Sequence, residues 1–351
     1  ANAPATSFSS ARAMGQLVEI AREAHPPGSP EHDRVRGLLV EELRDLGLDP
    51  VVETATSMRR RDGTVVAATV RNVLARIPGT GSTGTLLLTA HYDGRGISRA
   101  AADDGFGVVA ILETARALLE GPQPRNDVLL LLTDAEELGL LGARAFVAGS
   151  PSFQDVQVAL SLEMRGGGGA VFMFETGAEN GWIVRQLARH GEAPFASSMG
   201  YEVYRRLPND TDFTPLKEAG VQGLNFAGIG RAPVYHQAWD APQHVSEATL
   251  QHHGVQLLSL TRALAQADLS AVDAPDVAFF TVPFLGLVVY PPEVGWGIAV
   301  GLVILFVLVL LLARRRGAGW GSVGAGAALA LLVAAASWGV GLWLPGWLAG
   351  F

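Results

Sequence analysis

The sequence has no cysteine, which excludes disulfides and thiolate metal sites and leaves histidines and carboxylates as the strong ligands. That absence does not fix a redox compartment, because a chain of this size does not depend on disulfide staples. There is no basic excess either. Lys and Arg number 26 against 34 Asp and Glu, a formal net charge of −8, so nucleic acid is not an expected partner. The first ten residues are small and polar without an apolar core, and no cleavable signal peptide is visible. The sharpest absence is local: no charged residue occurs from 294 to 313, and none from 317 to 351.

That distribution divides the 351 residues into a globular unit over 1–270, a connector over 271–293 and two transmembrane helices within 294–351. About twenty apolar residues carry a helix across the bilayer core. Residues 294–313 meet that length and end at Arg314-Arg315-Arg316; a second span fits within 320–344, with Trp338, Trp343 and Trp347 where an aromatic belt would lie. Residues 277–290 are apolar too, but about fourteen residues broken by Pro283 predict a membrane-hugging connector or a strand. The triple arginine predicts a cytoplasmic end for the first span. The globular unit is then expected on the opposite face, periplasmic or extracellular in a bacterium and luminal in a eukaryote. A lipid bilayer is thus an expected partner, with further membrane segments expected on either side of this chain.

In the globular unit, residues 10–25 and 31–46 carry apolar side chains at helical spacing. Beyond two β-rich stretches near 50–56 and 64–77 the pattern alternates. Strand-like runs at 85–90 (TLLLTA), 128–133 (VLLLLT), 156–162, 170–174 and 221–229 are interleaved with helix-like runs at 106–119, 140–148, 181–190, 213–219 and 246–266. Short apolar strands alternating with amphipathic helices predict an α/β fold, with a mostly parallel central sheet flanked by helices.

Ligands gather beyond the carboxyl ends of the strands in such a sheet. His91 and Asp93 follow TLLLTA, Glu136 and Glu137 follow VLLLLTDA, Glu163 follows VALSL, and His236 follows the 221–229 strand. Asp103 lies in the loop opening the 106–119 helix. Taken singly, each has a plainer explanation. His91 and His236 could be surface histidines, Asp103-Asp104 an N-cap, Glu136-Glu137 a solvated helix start, and Glu163 a partner of Arg165. Their common rim argues otherwise. Carboxylates so close repel one another unless cations intervene, and two His with three carboxylates, one shared, make two three-ligand sites open to a bridging water. Asp93, two residues from His91 in an extended segment, can accept its second N–H. Of the adjacent glutamates, one can bind metal and the other act as general base. The run Asn209-Asp210-Thr211-Asp212 is expected either to border the substrate pocket through Asp210 and Asp212 or to cap the following helix.

The series His91-x-Asp93, Asp103-Asp104, Glu136-Glu137-Leu-Gly-Leu-Leu-Gly, Leu162-Glu163-Met164 and His236-x3-Asp240 resembles the co-catalytic di-zinc aminopeptidase family. That family also includes glutamate carboxypeptidase, glutaminyl cyclase and the transferrin receptor. The segments SLEMRGGGG, FETGAENGW and LPNDTDFTPLKEAGV resemble its endoplasmic-reticulum and vacuolar membrane metallopeptidase branch, and the similarity covers roughly residues 8–290. The resemblance implies a membrane-anchored exopeptidase acting on peptides with two Zn2+ per chain. His91, Asp103 and Glu163 would hold one zinc and Asp103, Glu137 and His236 the other, with Asp103 as bridge and Asp104 as the fallback. Glu136 would be the general base and Asp93 the group orienting His91. Alternatives are a glutaminyl cyclase-like enzyme and an inactive binding ectodomain. Two positions depart from the common pattern: Glu163 stands where many members have Asp, and Gly105-Phe106-Gly107 follows the paired aspartates in place of Ala-Ser.

Overall fold

Strands apolar on both faces can lie only in the middle of a sheet covered on both sides, and their sequence decides the order of the layers. The computed structural model describes residues 3–61, 63–317, 319–326, 328–329 and 332. Its first half runs α1 (Ser10–Ile20), α2 (Pro30–Asp45), β1 (Val51–Arg61), β2 (Thr64–Ile77), β3 (Thr85–His91), α3 (Gly105–Leu119), β4 (Asp127–Thr133) and α4 (Leu141–Gly149). Next come β5 (Val156–Met164), β6 (Gly168–Thr176), α5 (Gly181–His190), β7 (Phe195–Ala196), α6 (Ser198–Tyr204), α7 (Phe213–Glu218), β8 (Gln222–Gly230) and α8 (Glu247–Leu264). The hairpin β9 (Ala278–Val282) and β10 (Gly286–Tyr290) precedes α9 (Pro292–Arg315).

The eight-stranded sheet has the order β1-β2-β4-β3-β5-β8-β6-β7. Its middle, β4-β3-β5-β8, is parallel, while β2 and β6 pair antiparallel with β4 and β8. The two-residue period of β3 and β4 sends their leucines to opposite sides. Leu86, Leu88, Leu130 and Leu132 join the core beneath α3 and α8, whereas Leu87, Leu129 and Leu131 pack with Phe146 and Phe213. α3 is buried on nearly every side. Its Glu113, 2% exposed, is held by Arg12 and Arg116 at 2.7 Å each.

The chain divides into two compact units, Ala1–Tyr290 and Pro291–Phe351. Of residues 277–290, expected as connector or strand, 278–290 form the β9–β10 hairpin. α9 is 24 residues long, about 36 Å at 1.5 Å per residue, and meets the length and composition of one membrane span. In the second expected span residues 320–326 are helical, and most of the remainder, with Trp338, Trp343 and Trp347, lies outside the described residues.

A buried histidine in α8 predicts acid sensitivity. His253 is 1% exposed and neither ring nitrogen has a hydrogen-bond partner among the described residues. Burial, then the charge of His252, pushes its pKa down to about 3. It is therefore neutral in the fold but protonated in the unfolded chain below about pH 6.5. Stability is unaffected above that value and lost as pH falls towards 3, on the order of 2–3 kcal/mol between pH 6.5 and 4.5. His253→Leu is expected to shrink this loss. Denaturant midpoints at pH 7.5 and 4.5, taken in EDTA, should separate less in the variant; equal separation would clear His253 of the effect.

Candidate metal centre

The parallel strands end at one rim, and the rim collects the ionisable groups. His91 is the last residue of β3, and its Nε2 lies 3.2 Å from Asp103 Oδ1 and 3.9 Å from Glu163 Oε2 near the end of β5. His236 sits in the loop after β8 with a left-handed φ of 58°, which a histidine adopts more readily than most residues. Its Nε2 lies 3.0 Å from Asp103 Oδ2 and 2.8 Å from Glu137 Oε1. Asp103 therefore turns one carboxylate oxygen towards each histidine. The ligand atoms of His91, Asp103 and Glu163 lie within 4.8 Å of one another, as do those of Asp103, Glu137 and His236.

The neighbours of these residues hold them by backbone contacts that the sequence did not reveal. His91 Nδ1 lies 3.0 Å from the main-chain carbonyl of Asp93, whose carboxylate Oδ1 is farther, at 3.5 Å. The Asp93 carboxylate instead accepts the amide N–H groups of Glu136 at 2.9 Å and Glu137 at 3.2 Å, fixing both glutamates from one point. Asp240 does the same for the bridge. It accepts the amides of Ala102 at 2.6 Å and Asp103 at 3.2 Å while wholly buried. Its only signal in the sequence is the His236-x3-Asp240 spacing, which carries no role by itself. Asp104 belongs to neither three-ligand group and caps α3 through Gly107 N–H at 3.1 Å.

The departure at Gly105 and Gly107 has a steric reason. A Cβ at Gly105 would meet the Ala100 carbonyl at 2.5 Å, and one at Gly107 the Asp104 carboxylate at 2.2 Å. At Gly105 the obstacle is backbone; at Gly107 it is the Asp104 side chain that caps the first turn of α3.

The charges cannot coexist without help. Burial lifts Glu163 well above the usual carboxylate range, and the charge of Glu136 adds to it. Burial likewise raises Glu136 and Glu137. Burial works against a charged His236, but hydrogen bonds to Asp103 and Glu137 carry it up to about 9. His91 is raised well above its usual value by Asp103 and Asp93 against the same burial. Meanwhile Glu163 Oε1 is buried without a hydrogen-bond partner among the described residues. Two imidazoles facing three carboxylates in so small a space are the donor set of a borderline divalent cation, and the residues fit zinc.

A cavity of about 450 Å³ opens beside the cluster, reached by Asp103, Glu136 and Glu163 and walled by apolar groups including Phe172, Phe174 and Ile229. α6, too short to stand out in the sequence, supplies Met199 and Val203 to this wall. Asp210 lines it and pairs with Arg59 at 2.6 Å. Asp212 does not line it. It is 2% exposed and accepts a hydrogen bond from Thr133. Nor does its side chain cap α7; Thr211 Oγ1 accepts the Phe213 amide at 3.3 Å.

The comparisons with known proteins agree with this geometry. A model of Peptidase family M28 matches residues 72–261, a stretch that contains the whole cluster from His91 to His236. Endoplasmic reticulum metallopeptidase 1 of Mus musculus is 29% identical over 235 residues, 64% of this chain and 26% of that protein. Vacuolar membrane protease of Candida albicans (strain WO-1) is 32% identical over 273 residues, 77% of this chain and 31% of its own length. The chain thus spans 26% to 31% of these curated relatives. Among solved structures, a zinc aminopeptidase from Bacillus subtilis superposes with a TM-score of 0.61 at 16% identity, covering 78% of this chain and 100% of the other. Porphyromonas gingivalis glutaminyl cyclase gives 0.60 at 19% identity, covering 73% and 99%. At such identities the likeness is one of fold. The family match is carried by the sequence itself, and the chain belongs to Peptidase family M28, a family of zinc peptidases.

Proposed function

We propose that the chain is the catalytic part of a membrane-anchored aminopeptidase that holds two zinc ions. His91, Asp103 and Glu163 would bind one and Asp103, Glu137 and His236 the other. The observation that carries this reading is Asp103, with one carboxylate oxygen 3.2 Å from His91 and the other 3.0 Å from His236. When bound, zinc would acidify water and polarise the scissile carbonyl. The residues of the chain do the rest. Glu136, at the cavity edge with its amide pinned by Asp93, takes the proton of the attacking water and passes it to the leaving amine. Asp240 holds the Asp103 segment still, and the apolar wall takes the terminal side chain of the peptide. Purified protein should carry close to two zinc ions and release fluorophore from leucyl or phenylalanyl conjugates. Peptides blocked at the amino terminus should be inert. Turnover of a carboxyl-terminal substrate alone would move the assignment to a carboxypeptidase, and conversion of a glutaminyl peptide without hydrolysis would move it to a cyclase.

The orientation follows from Arg314, Arg315 and Arg316 directly after the apolar run of α9, with Glu293 at its other end. The triple arginine is cytoplasmic in this reading and the peptidase unit lies across the membrane from it. Because the chain has no cysteine, single replacements report sidedness without background. Met58→Cys, at a position 68% exposed, should react with an impermeant maleimide from the extracytoplasmic side of intact spheroplasts or sealed vesicles, and Arg316→Cys only after lysis. The reverse pattern would overturn the orientation.

A further inference from the structure

The β9–β10 hairpin is apolar on both faces and at its tip, where a hairpin at the surface of a soluble domain has one polar face. Its register pairs Phe279 with Val289, Phe280 with Val288 and Ala278 with Tyr290. One face is accounted for: Phe279 belongs to the core, and Leu287 and Val289 pack against it. The outward face carries Ala278, Phe280, Val282, Val288 and Tyr290, without a single charged side chain, and Phe280 is 42% exposed.

The tip goes further. Leu285 N–H closes a turn on the Val282 carbonyl at 3.1 Å, with Pro283 at its second position and Phe284 at its third. Phe284 has φ 69°, a left-handed conformation for which such turns ordinarily use glycine. A bulky residue held there is a backbone strain that points to a use. The result is Phe284 at 107% exposure and Leu285 at 80%. No charged residue occurs between Asp276 and Glu293.

We propose that this hairpin tip inserts Phe284 and Leu285 into the same bilayer that α9 crosses. The next element of the chain sets the occupant. Pro292, the first residue of α9, is seven residues after Leu285, so the tip lies within about 25 Å of the helix start even if the link were fully extended. An uncharged ridge tethered that closely to a membrane span meets lipid before any other apolar surface. Aromatic and aliphatic side chains there would sit at the headgroup–acyl boundary, as in interfacial anchors. The same strand also holds the active-site wall: Phe279 N–H donates to Ser198 Oγ at 2.8 Å, and Ser198 opens α6, whose Met199 and Val203 border the cavity. Insertion would fix that wall, and the cavity mouth with it, relative to the lipid surface.

The test uses the full chain in phosphatidylcholine–phosphatidylglycerol liposomes, with single cysteines at Phe284→Cys, Leu285→Cys and, as control, Met58→Cys, each carrying an environment-sensitive fluorophore. The tip positions should be quenched several-fold more by doxyl-labelled lipid than the control and shielded from aqueous iodide. Quenching by lipid equal to the control, with iodide access, would overturn the proposal. So would shielding from both quenchers, which would assign the ridge to protein: to a second copy if dilution with empty lipid restores iodide access, to another segment of the chain if not. A double Phe284→Asp, Leu285→Asp variant guards against misfolding. It should keep its zinc content and its activity on a small soluble substrate, while a probe at Val288→Cys loses its lipid quenching; unchanged quenching there would count against insertion at the tip.

Discussion

Asp103→Asn protein should come off the column with its zinc largely gone from both positions, not one. The reason is geometric. Asp103 turns Oδ1 towards the His91 and Glu163 group and Oδ2 towards the Glu137 and His236 group, so one substitution weakens two three-ligand sets together. An asparagine of the same shape offers one neutral oxygen, and its amide nitrogen donates where a ligand must accept. The fold should survive, because the segment is held to Asp240 through the Asp103 backbone N–H, which the substitution keeps. Activity should fall to background while the unfolding transition remains cooperative. Asp104→Asn is the matched control. Asp104 caps α3 and belongs to neither three-ligand group, so that variant should retain zinc and lose only stability. Metal analysis of the two variants side by side decides between bridge and fallback. Full zinc in Asp103→Asn, or its loss from Asp104→Asn, would transfer the bridging role.

The rim was legible in the sequence because parallel strands announce their own ends. TLLLTA and VLLLLT are uncharged and mostly leucine, so the ionisable residues that follow within a few positions, His91 after the first and Glu136-Glu137 beyond Asp134 after the second, emerge at the same edge. What the sequence hid was direction inside loops. Asp93 is two residues from His91, which in an extended segment puts both side chains on one side; β3 ends at His91, and the Asp93 carboxylate turns to the amides of Glu136 and Glu137. Asp210 and Asp212 differ in the same way: one lines the cavity, the other lies under Thr133, and no periodicity separates them. Asp240 carried a spacing but no visible partner, since the amides it accepts lie 137 and 138 residues earlier. Residues 277–290 read equally as strand or membrane connector because an apolar run of that length, broken by one proline, fits both patterns.

Glu136→Gln is expected to keep its zinc and lose activity by roughly 10²–10⁴-fold, the contribution of a positioned general base. Glu136 is not part of either three-ligand group, so the metal set stays whole. Its backbone is fixed by Asp93 Oδ1 at 2.9 Å, and glutamine keeps that contact, the side-chain length and the hydrogen-bonding reach. Only the ability to take a proton is removed. Burial raises the Glu136 carboxyl well above the usual carboxylate range, with Asp212, Glu137 and Asp93 adding to it against the charge of His91. The loss should fall on kcat and kcat/KM together with KM little changed, the pattern of an interaction made in the transition state and not in the ground state. Glu137→Gln, one residue away, should behave differently: Glu137 Oε1 lies 2.8 Å from His236 Nε2, and removing its charge should lower zinc content first and activity as a consequence. Added zinc should then recover part of the activity of Glu137→Gln and none of that of Glu136→Gln. Rescue of both, or a Glu136→Gln enzyme within a few-fold of the parent, would take the proton-transfer role away from Glu136.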